Sequence, residues 1–200
     1  MLALLHGSDT TASYGPPLQR TPLQGKRIVR PMLTARPTDF PEAKIIVPDV
    51  YEDDRGFFKE TYSKKKYAAI GVTDKWLQDG VSLSAKNVVR GMHYQPGMAK
   101  LVNALSGSIY DVIVDLREGS PTFKRWQGFN LSAGNHLQLY VPDGFAHGFL
   151  ALTDNVILHY KMSAHHDPAT ERILSWRDPS VGIAWPLSGE PRLSRKDADA

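Results

Sequence analysis

The sequence predicts an all-β protein of the jelly-roll type, because it combines many short strand-like runs, frequent turn residues and few helix signals. From residue 43 onward, runs rich in β-branched and aromatic residues recur at fairly even spacing. Turn pairs such as Pro96-Gly97 and Ser106-Gly107 separate them. Many short strands punctuated in this way indicate an antiparallel sandwich or barrel. The runs lie at residues 44–47, 56–61, 87–91, 100–105, 108–116, 126–131, 137–141, 148–151 and 156–162.

One convincing helix is predicted, directly after residue 63. Ser63 is a suitable N-cap, Tyr67 and Ile70 lie three residues apart, and Gly71 suits the position after the helix end. No regular alternation of strands and helices follows. Because parallel dinucleotide-binding sheets require that alternation, we do not expect one here.

The chain divides into a proline-rich N-terminal arm, residues 1–42, and a β-rich domain, residues 43–200. Six of the 14 prolines lie in the arm, which has no sustained apolar periodicity, so we expect it to be extended or disordered. The arm holds five basic and three acidic residues, which leaves 19 basic and 18 acidic residues in the domain. Although the isoelectric point is about 9.0, this nearly neutral domain argues against a nucleic-acid partner.

The remaining composition narrows the function classes further. The chain contains no cysteine, which excludes disulfides, thiolate metal ligands and thiol catalysis. No run approaches the ~18 apolar residues of a membrane span. We therefore expect a cytoplasmic protein that binds neither nucleic acid nor a membrane.

Six of the seven histidines lie between residues 93 and 166, so a metal site is the first hypothesis to test. A His-x-His…Glu set that starts at His93 would need ligands at position 95 and at position 99 or 100. Those positions hold Gln95, Ala99 and Lys100. An ammonium group repels a divalent cation and offers it no lone pair. The spacing therefore predicts no metal.

The densest polar cluster surrounds His93. Glycine inside a strand marks a bulge or a close backbone approach, so Gly91 could bring Arg90 and His93 to one side. Lys100 follows on the next predicted strand, and a Pro-x-Gly turn precedes His147. From these residues alone, a buried structural role is the commoner explanation for His93 and His147, and Lys100 could equally be an exposed edge lysine.

Longer motifs carry a resemblance that covers roughly three quarters of the chain in order. They include DRGFFKE at 54–60, NVVRGMHYQ at 87–95, DVIVDLR at 111–117 and YVPDGFAHGF at 140–149, with further matches at 100–102, 119–123, 160–161, 176–179 and 182–186. With these motifs the chain resembles the dTDP-4-dehydrorhamnose 3,5-epimerase family. The resemblance implies a cupin fold, that is, a double-stranded β-helix jelly roll, with a few short helices.

The resemblance also implies an activity that needs no cofactor. The family epimerises a nucleotide-linked 4-keto-6-deoxyhexose at carbons beside the ketone, in rhamnose-type deoxysugar biosynthesis. Inversion requires a base on one face, an acid on the other, and a group that stabilises the enolate. The positions that match these roles are His93 as the base, Asp197 as the carboxylate that orients it, Lys100 beside the enolate oxygen, and Tyr160 as the acid.

For substrate binding, the resemblance assigns Arg55 and Arg90 to the diphosphate, where guanidinium groups suit phosphate oxygens. It also implies a homodimer that exchanges N-terminal strands, with the strand at 44–47 as the candidate swapped edge, and Arg55 would then serve the partner's site. Further substrate-binding candidates are Gln78, Lys161, His147 and Glu60.

Several departures from the family pattern leave the nucleotide base and the inverted carbon open. The chain reads Gln-Asp-Gly-Val-Ser at 78–82 where the family usually has Gln-Asp-Asn-His-Ser, and His165-His166 replaces a usual Tyr-Tyr pair. The loop between His93 and Lys100 is also shorter than in common members. Two alternatives remain: a metal-dependent cupin isomerase or dioxygenase, and a sugar-nucleotide-binding cupin without turnover.

Overall fold

The computed structural model describes residues 33–200, which form two facing antiparallel sheets, a separate hairpin and two short helices. The first sheet has the order β1 (Thr34–Pro37), β2 (Lys44–Val47), β10 (Gln138–Val141), β7 (Lys100–Ser106), β12 (Val156–Met162) and β5 (Gln78–Ser84). The second has the order β13 (Arg172–Ile173), β6 (Val89–Tyr94), β11 (Phe145–Ala151), β8 (Ser108–Asp115) and β9 (Trp126–Ser132). The hairpin is β3 (Val50–Asp53) with β4 (Gly56–Lys59), and the helices are α1 (Lys64–Ala69) and α2 (Arg195–Ala198).

The main hydrophobic core lies between the two sheets. Val102, Leu139 and Leu158 from the first sheet pack with Ile113 and Phe149 from the second, and all five are buried. This arrangement follows from strand alternation, which sends every second side chain inward. The predicted class, an all-β cupin jelly roll with few short helices, is confirmed. No helix among the described residues is both long enough and apolar enough to cross a bilayer.

All nine predicted strands overlap an observed strand, and the predicted helix is α1. Ser63 is its N-cap, although its side chain makes no capping hydrogen bond, and Gly71 follows the helix with a φ of 79°. The sequence did not predict strands β1, β3, β5 and β13. Strands β1, β3 and β13 are only two to four residues long. Strand β5 is longer, but it is rich in polar residues and contains a glycine.

The boundary predicted after residue 42 lies too late in the sequence. Strand β1 pairs with β2, from Thr34 opposite Val47 to Pro37 opposite Lys44. Phe40 is buried and packs edge-on against Phe145 at 5.1 Å between ring centroids. Pro37 is tolerated because β1 is an edge strand. The rest of the predicted arm, residues 1–32, lies outside the described residues.

The strand at 44–47 is also not a free edge. Strand β2 lies between β1 and β10 of its own chain, and it hydrogen-bonds to both. Its backbone groups are therefore already paired, so this strand does not fit the predicted role of swapped edge.

Candidate active site

An open cavity of about 290 Å³ lies between the two sheets. Strands β6 and β11 line it from the second sheet, β7 and β12 from the first, and the C-terminal segment that carries α2 closes one side. Six of the ten predicted site residues line this cavity: Arg90, His93, Lys100, His147, Tyr160 and Asp197.

His93 and Asp197 form a hydrogen-bonded pair in this cavity. The His93 Nε2 atom lies 2.6 Å from Asp197 Oδ1, and only 2% of the Asp197 side chain is exposed. Ser194 donates to the other carboxylate oxygen at 2.8 Å. Burial raises the pKa of Asp197, but the hydrogen bonds with His93 and Ser194 outweigh it and hold that pKa below its usual value. An ionised Asp197 that accepts from Nε2 leaves Nδ1 as the acceptor of the ring.

A bulge in β6 explains why Arg90 and His93 line the same cavity although they lie three residues apart. The register between β6 and β11 shifts between His147 and Phe149. At Gly91, where φ is 118°, an added Cβ would come within 2.7 Å of the Gly148 Cα. Only glycine fits this close approach. The close backbone contact that the sequence predicted at Gly91 is therefore present.

Lys100 places an ammonium group in the cavity wall, at the start of β7. Its Nζ donates to the carbonyl oxygen of His93 at 3.3 Å. Burial lowers the pKa of Lys100 to about 8, although Glu171 and Asp111 raise it in the opposite direction. The group is still mostly protonated at neutral pH, so it can stabilise an oxygen that gains negative charge.

Tyr160 faces the cavity from β12, in the sheet opposite to that of His93. Its hydroxyl lies 3.0 Å from Ser82 Oγ. Burial raises the pKa of Tyr160, and the Asp111 carboxylate raises it further, whereas Ser82 and Arg90 lower it. The phenol therefore stays protonated near neutrality and can donate a proton from the wall facing His93.

His147 has a buried partner behind the cavity. Its Nε2 lies 2.8 Å from Asp111 Oδ1, and both side chains are almost completely buried. The other Asp111 carboxylate oxygen has no hydrogen-bond partner among the described residues. The ring also meets that of Tyr160 edge-on at 6.4 Å. His147 thus combines a structural contact with a surface on the cavity.

Four predicted substrate-binding residues are not brought to the cavity within one chain. Arg55 lies on the β3–β4 hairpin, 86% exposed, and pairs with Asp53 at 2.6 Å. Glu60 lies near Lys66. Lys161 follows Tyr160 in β12, so alternation turns it to the opposite face, where it donates to Asp79 at 2.9 Å.

The fourth of these residues, Gln78, lies close to the cavity without lining it. Its Oε1 accepts from the backbone N–H of His166 at 2.8 Å, and His166 does line the cavity. Glu171 is a further lining residue, missed because residues 163–171 show no pattern that predicts a site.

Within residues 33–200, no three His, Asp or Glu side chains come together as possible metal ligands.

The jelly roll and its cavity define a class of protein: a β-sandwich protein whose cavity is lined by a histidine–carboxylate pair, a tyrosine and a partly buried lysine. Comparison with known families agrees. The family model described as dTDP-4-dehydrorhamnose 3,5-epimerase matches residues 37–200. The chain belongs to this family of isomerases.

Two relatives illustrate the match in sequence. The chain is 43% identical over 173 residues to the dTDP-4-dehydrorhamnose 3,5-epimerase of Salmonella typhimurium, covering 84% of this chain and 94% of the relative. It is 45% identical over 162 residues to that of Neisseria gonorrhoeae, covering 80% of this chain. The chain spans about half of that second relative, 49% of its length.

Solved structures show the same likeness. The dTDP-6-deoxy-D-glucose-3,5-epimerase of Legionella pneumophila, in complex with dTDP-4-keto-L-rhamnose, has a TM-score of 0.82 at 43% identity, over 84% of this chain and 91% of that one. A 3′-monoepimerase from Streptomyces bikiniensis, in complex with dTDP-quinovose, has a TM-score of 0.77 at 34% identity, over 82% and 85%.

Proposed function

We propose that this protein epimerises a nucleotide-linked 4-keto-6-deoxyhexose, with dTDP as the nucleotide, at C3, at C5 or at both. The observation that carries the proposal is the cavity itself. A histidine–carboxylate pair, His93 with Asp197, lines it from one sheet and the C-terminal segment, and the protonated phenol of Tyr160 lines it from the other sheet. Lys100 adds a cation to the same lining.

The proposed reaction is a proton transfer through an enolate. Neutral His93 removes a proton from a carbon beside the C4 ketone, and the Asp197 carboxylate stabilises the imidazolium that forms. The bonding electrons move to the ketone oxygen, where the Lys100 ammonium stabilises the negative charge. Tyr160 then donates a proton to the opposite face of that carbon. The phenolate and the imidazolium return to their starting states by proton exchange with solvent, so nothing is oxidised or reduced.

The size of the cavity supports a sugar rather than a whole sugar nucleotide as its occupant. A volume of about 290 Å³ lies at the lower end of small-molecule sites. The nucleotide would then lie outside the cavity, across its rim. Arg90 belongs to that rim, where its guanidinium donates to Ser84 Oγ and to the Leu83 carbonyl oxygen at 3.0 and 2.9 Å. We assign the diphosphate to Arg90.

A homodimer is the assembly that we propose for this chain. The β3–β4 hairpin exposes Phe57 and Phe58, and the edge strand β5 exposes Val81 and Leu83. Exposed apolar groups on a hairpin and on an open sheet edge favour pairing with another chain. The hairpin, rather than β2, would be the exchanged segment, and Arg55 at its end would then reach the partner's diphosphate.

The biological setting is proposed from the same chemistry. The product, an epimerised 4-keto-6-deoxyhexose, would serve rhamnose-type deoxysugar synthesis in the cytoplasm, and from there the assembly of lipopolysaccharide or another polysaccharide. We assign no cofactor to the reaction, because the proposed steps use only an imidazole, an ammonium group and a phenol.

Solvent deuterium incorporation tests the proposed function. Wild-type protein in D2O, given a panel of nucleotide-linked 4-keto-6-deoxyhexoses, should place deuterium at C3, C5 or both, and the labelled position identifies the inverted carbon. His93→Ala should abolish this exchange, whereas His165→Ala, at an exposed histidine outside the cavity, should retain it. Absence of exchange with every substrate in the panel would rule out the epimerase function.

A further inference from the structure

We infer that Lys196 is a positioning residue: through its ion pair with Glu171 it holds helix α2 against the sheet and thereby keeps Asp197 on His93. The inference rests on the proposed function only for the catalytic role given to His93. Lys196 Nζ donates to Glu171 Oε2, and neither the contact nor its residues belong to the predicted site.

Helix α2 depends on few attachments. It has four residues near the end of the chain. The segment before it is tied to the body by backbone bonds, in which Arg192 N–H donates to Asn87 O at 2.8 Å and Arg192 O accepts from Val89 N–H at 3.0 Å. Within the helix, the side chains of Lys196 and Asp197 bond to the body. Arg195, by contrast, is 96% exposed and pairs with Asp199 at 3.5 Å, inside its own segment.

Glu171 provides a well-placed anchor for the lysine. It immediately precedes β13, whose Ile173 lies opposite His93 in β6. The Lys196–Glu171 pair therefore joins α2 to a strand next to the one that carries His93. Glu171 is largely buried, and its Oε2 also lies 3.3 Å from His166 Nε2. Burial raises the pKa of Glu171, but the bonds with Lys196 and His166 outweigh it, so the carboxylate stays charged.

The position of Lys196 in the chain links this ion pair to the catalytic carboxylate. Lys196 and Asp197 are consecutive, so the ion pair holds the backbone next to the residue that bonds to His93. When α2 moves away, Asp197 leaves the imidazole, and His93 loses the group that orients it. The lysine side chain is 48% exposed, which makes the expected energy modest. A partly exposed ion pair changes the docking equilibrium of α2 by up to roughly fivefold. Reversing one charge also adds repulsion, so the total change in that equilibrium is roughly tenfold.

The test reverses the charge of Lys196 and compares it with a matched control. Lys196→Glu should lower kcat for deuterium incorporation, by at most about tenfold, with KM changed less than about twofold. Arg195→Glu makes the same change in net charge on the same helix and should leave kcat unchanged. Lys196→Arg, which restores the cation, should bring kcat back to near the wild-type value.

Amide hydrogen exchange and carbon-13 titration give readouts that need no turnover. In Lys196→Glu, the amides of residues 192–199 should exchange about tenfold faster, while those of β7 and β8 keep their protection. The pKa of the Asp197 carboxyl should rise, because its bond with His93 is present for less of the time. These two readouts decide the inference even if the wild-type protein turns over no sugar.

Two results would overturn the inference. One is a Lys196→Glu protein with wild-type kcat, wild-type exchange in residues 192–199 and an unchanged Asp197 titration. The other is an equal loss in Arg195→Glu, which would attribute the effect to net charge at the cavity rather than to the ion pair.

Discussion

Replacing Lys100 with methionine should stabilise the protein at neutral pH while removing its turnover. The ammonium group lies in the cavity wall, where burial lowers its pKa from 10.5 to about 8. Below pH 8 this lysine is protonated in both the folded and the unfolded chain. At such a pH, a cation whose pKa is lowered by folding destabilises the folded state. Methionine fills similar space without a charge, so the variant escapes this cost.

The magnitude follows from the two pKa values. At 1.36 kcal/mol per pKa unit, the difference between 10.5 and about 8 corresponds to about 3.4 kcal/mol. The variant also loses the hydrogen bond from Lys100 to the carbonyl oxygen of His93, which is long at 3.3 Å. That loss offsets about 0.5–1.5 kcal/mol of the stability gained by removing the cation. We therefore expect the free energy of unfolding to rise by about 2–3 kcal/mol at pH 7.

The pH dependence provides a second check. Between pH 8 and 10.5 the unfolded chain binds more protons than the folded one, so the wild-type protein gains stability as the pH rises. The cost of burying the cation should fall from about 3.3 kcal/mol at pH 7 to about 1.4 kcal/mol at pH 9.5. Equilibrium urea unfolding of both proteins at these two pH values measures the difference.

Lys65→Met is the matched control, because Lys65 is exposed on α1. Its effect should stay within about 0.5 kcal/mol at both pH values. If Lys100→Met is no more stable than the wild-type protein at pH 7, or if the difference between them does not shrink at pH 9.5, Lys100 does not carry a buried charge in the folded protein.

Two further predictions concern the reacting groups. Tyr160→Phe should still exchange the substrate proton with solvent, but it should form much less inverted product because the acid on the second face is lost. Chiral analysis of the product measures this yield. A full yield would show that Tyr160 is not that acid. Arg90→Ala should raise KM by roughly 10- to 150-fold, about 1.5–3 kcal/mol of charge-assisted bonding, with kcat little changed. Steady-state kinetics checks this, and an unaltered KM would place the diphosphate elsewhere.

Local sequence features predicted much of the fold and part of the site. Strand β12 and strand β2 were predicted at their observed bounds, because alternation and turn residues act over a few positions. Gly91 predicted a close backbone approach that lets Arg90 and His93 share a cavity, and in the structure the approaching residue is Gly148. These features were predictable because each depends on the conformation of a short segment.

Other features depend on residues far apart in the chain. His93 and Asp197 are 104 positions apart, so local pattern alone could not pair them, and the pairing was expected only from the family resemblance. Phe40 joins the core through its contact with Phe145, 105 positions further along, although it follows a proline-rich stretch.

The sequence by itself determined the fold class, most of its strands and the chemical groups available for proton transfer, because those depend on residue type and short-range spacing. Only the tertiary structure decided which of the groups meet and in what state of charge. Lys100 has its low pKa because two sheets bury it, and Glu171 meets Lys196 because β13 and the end of the chain pack against the same strand. Burial and long-range ion pairs arise only when the chain has folded.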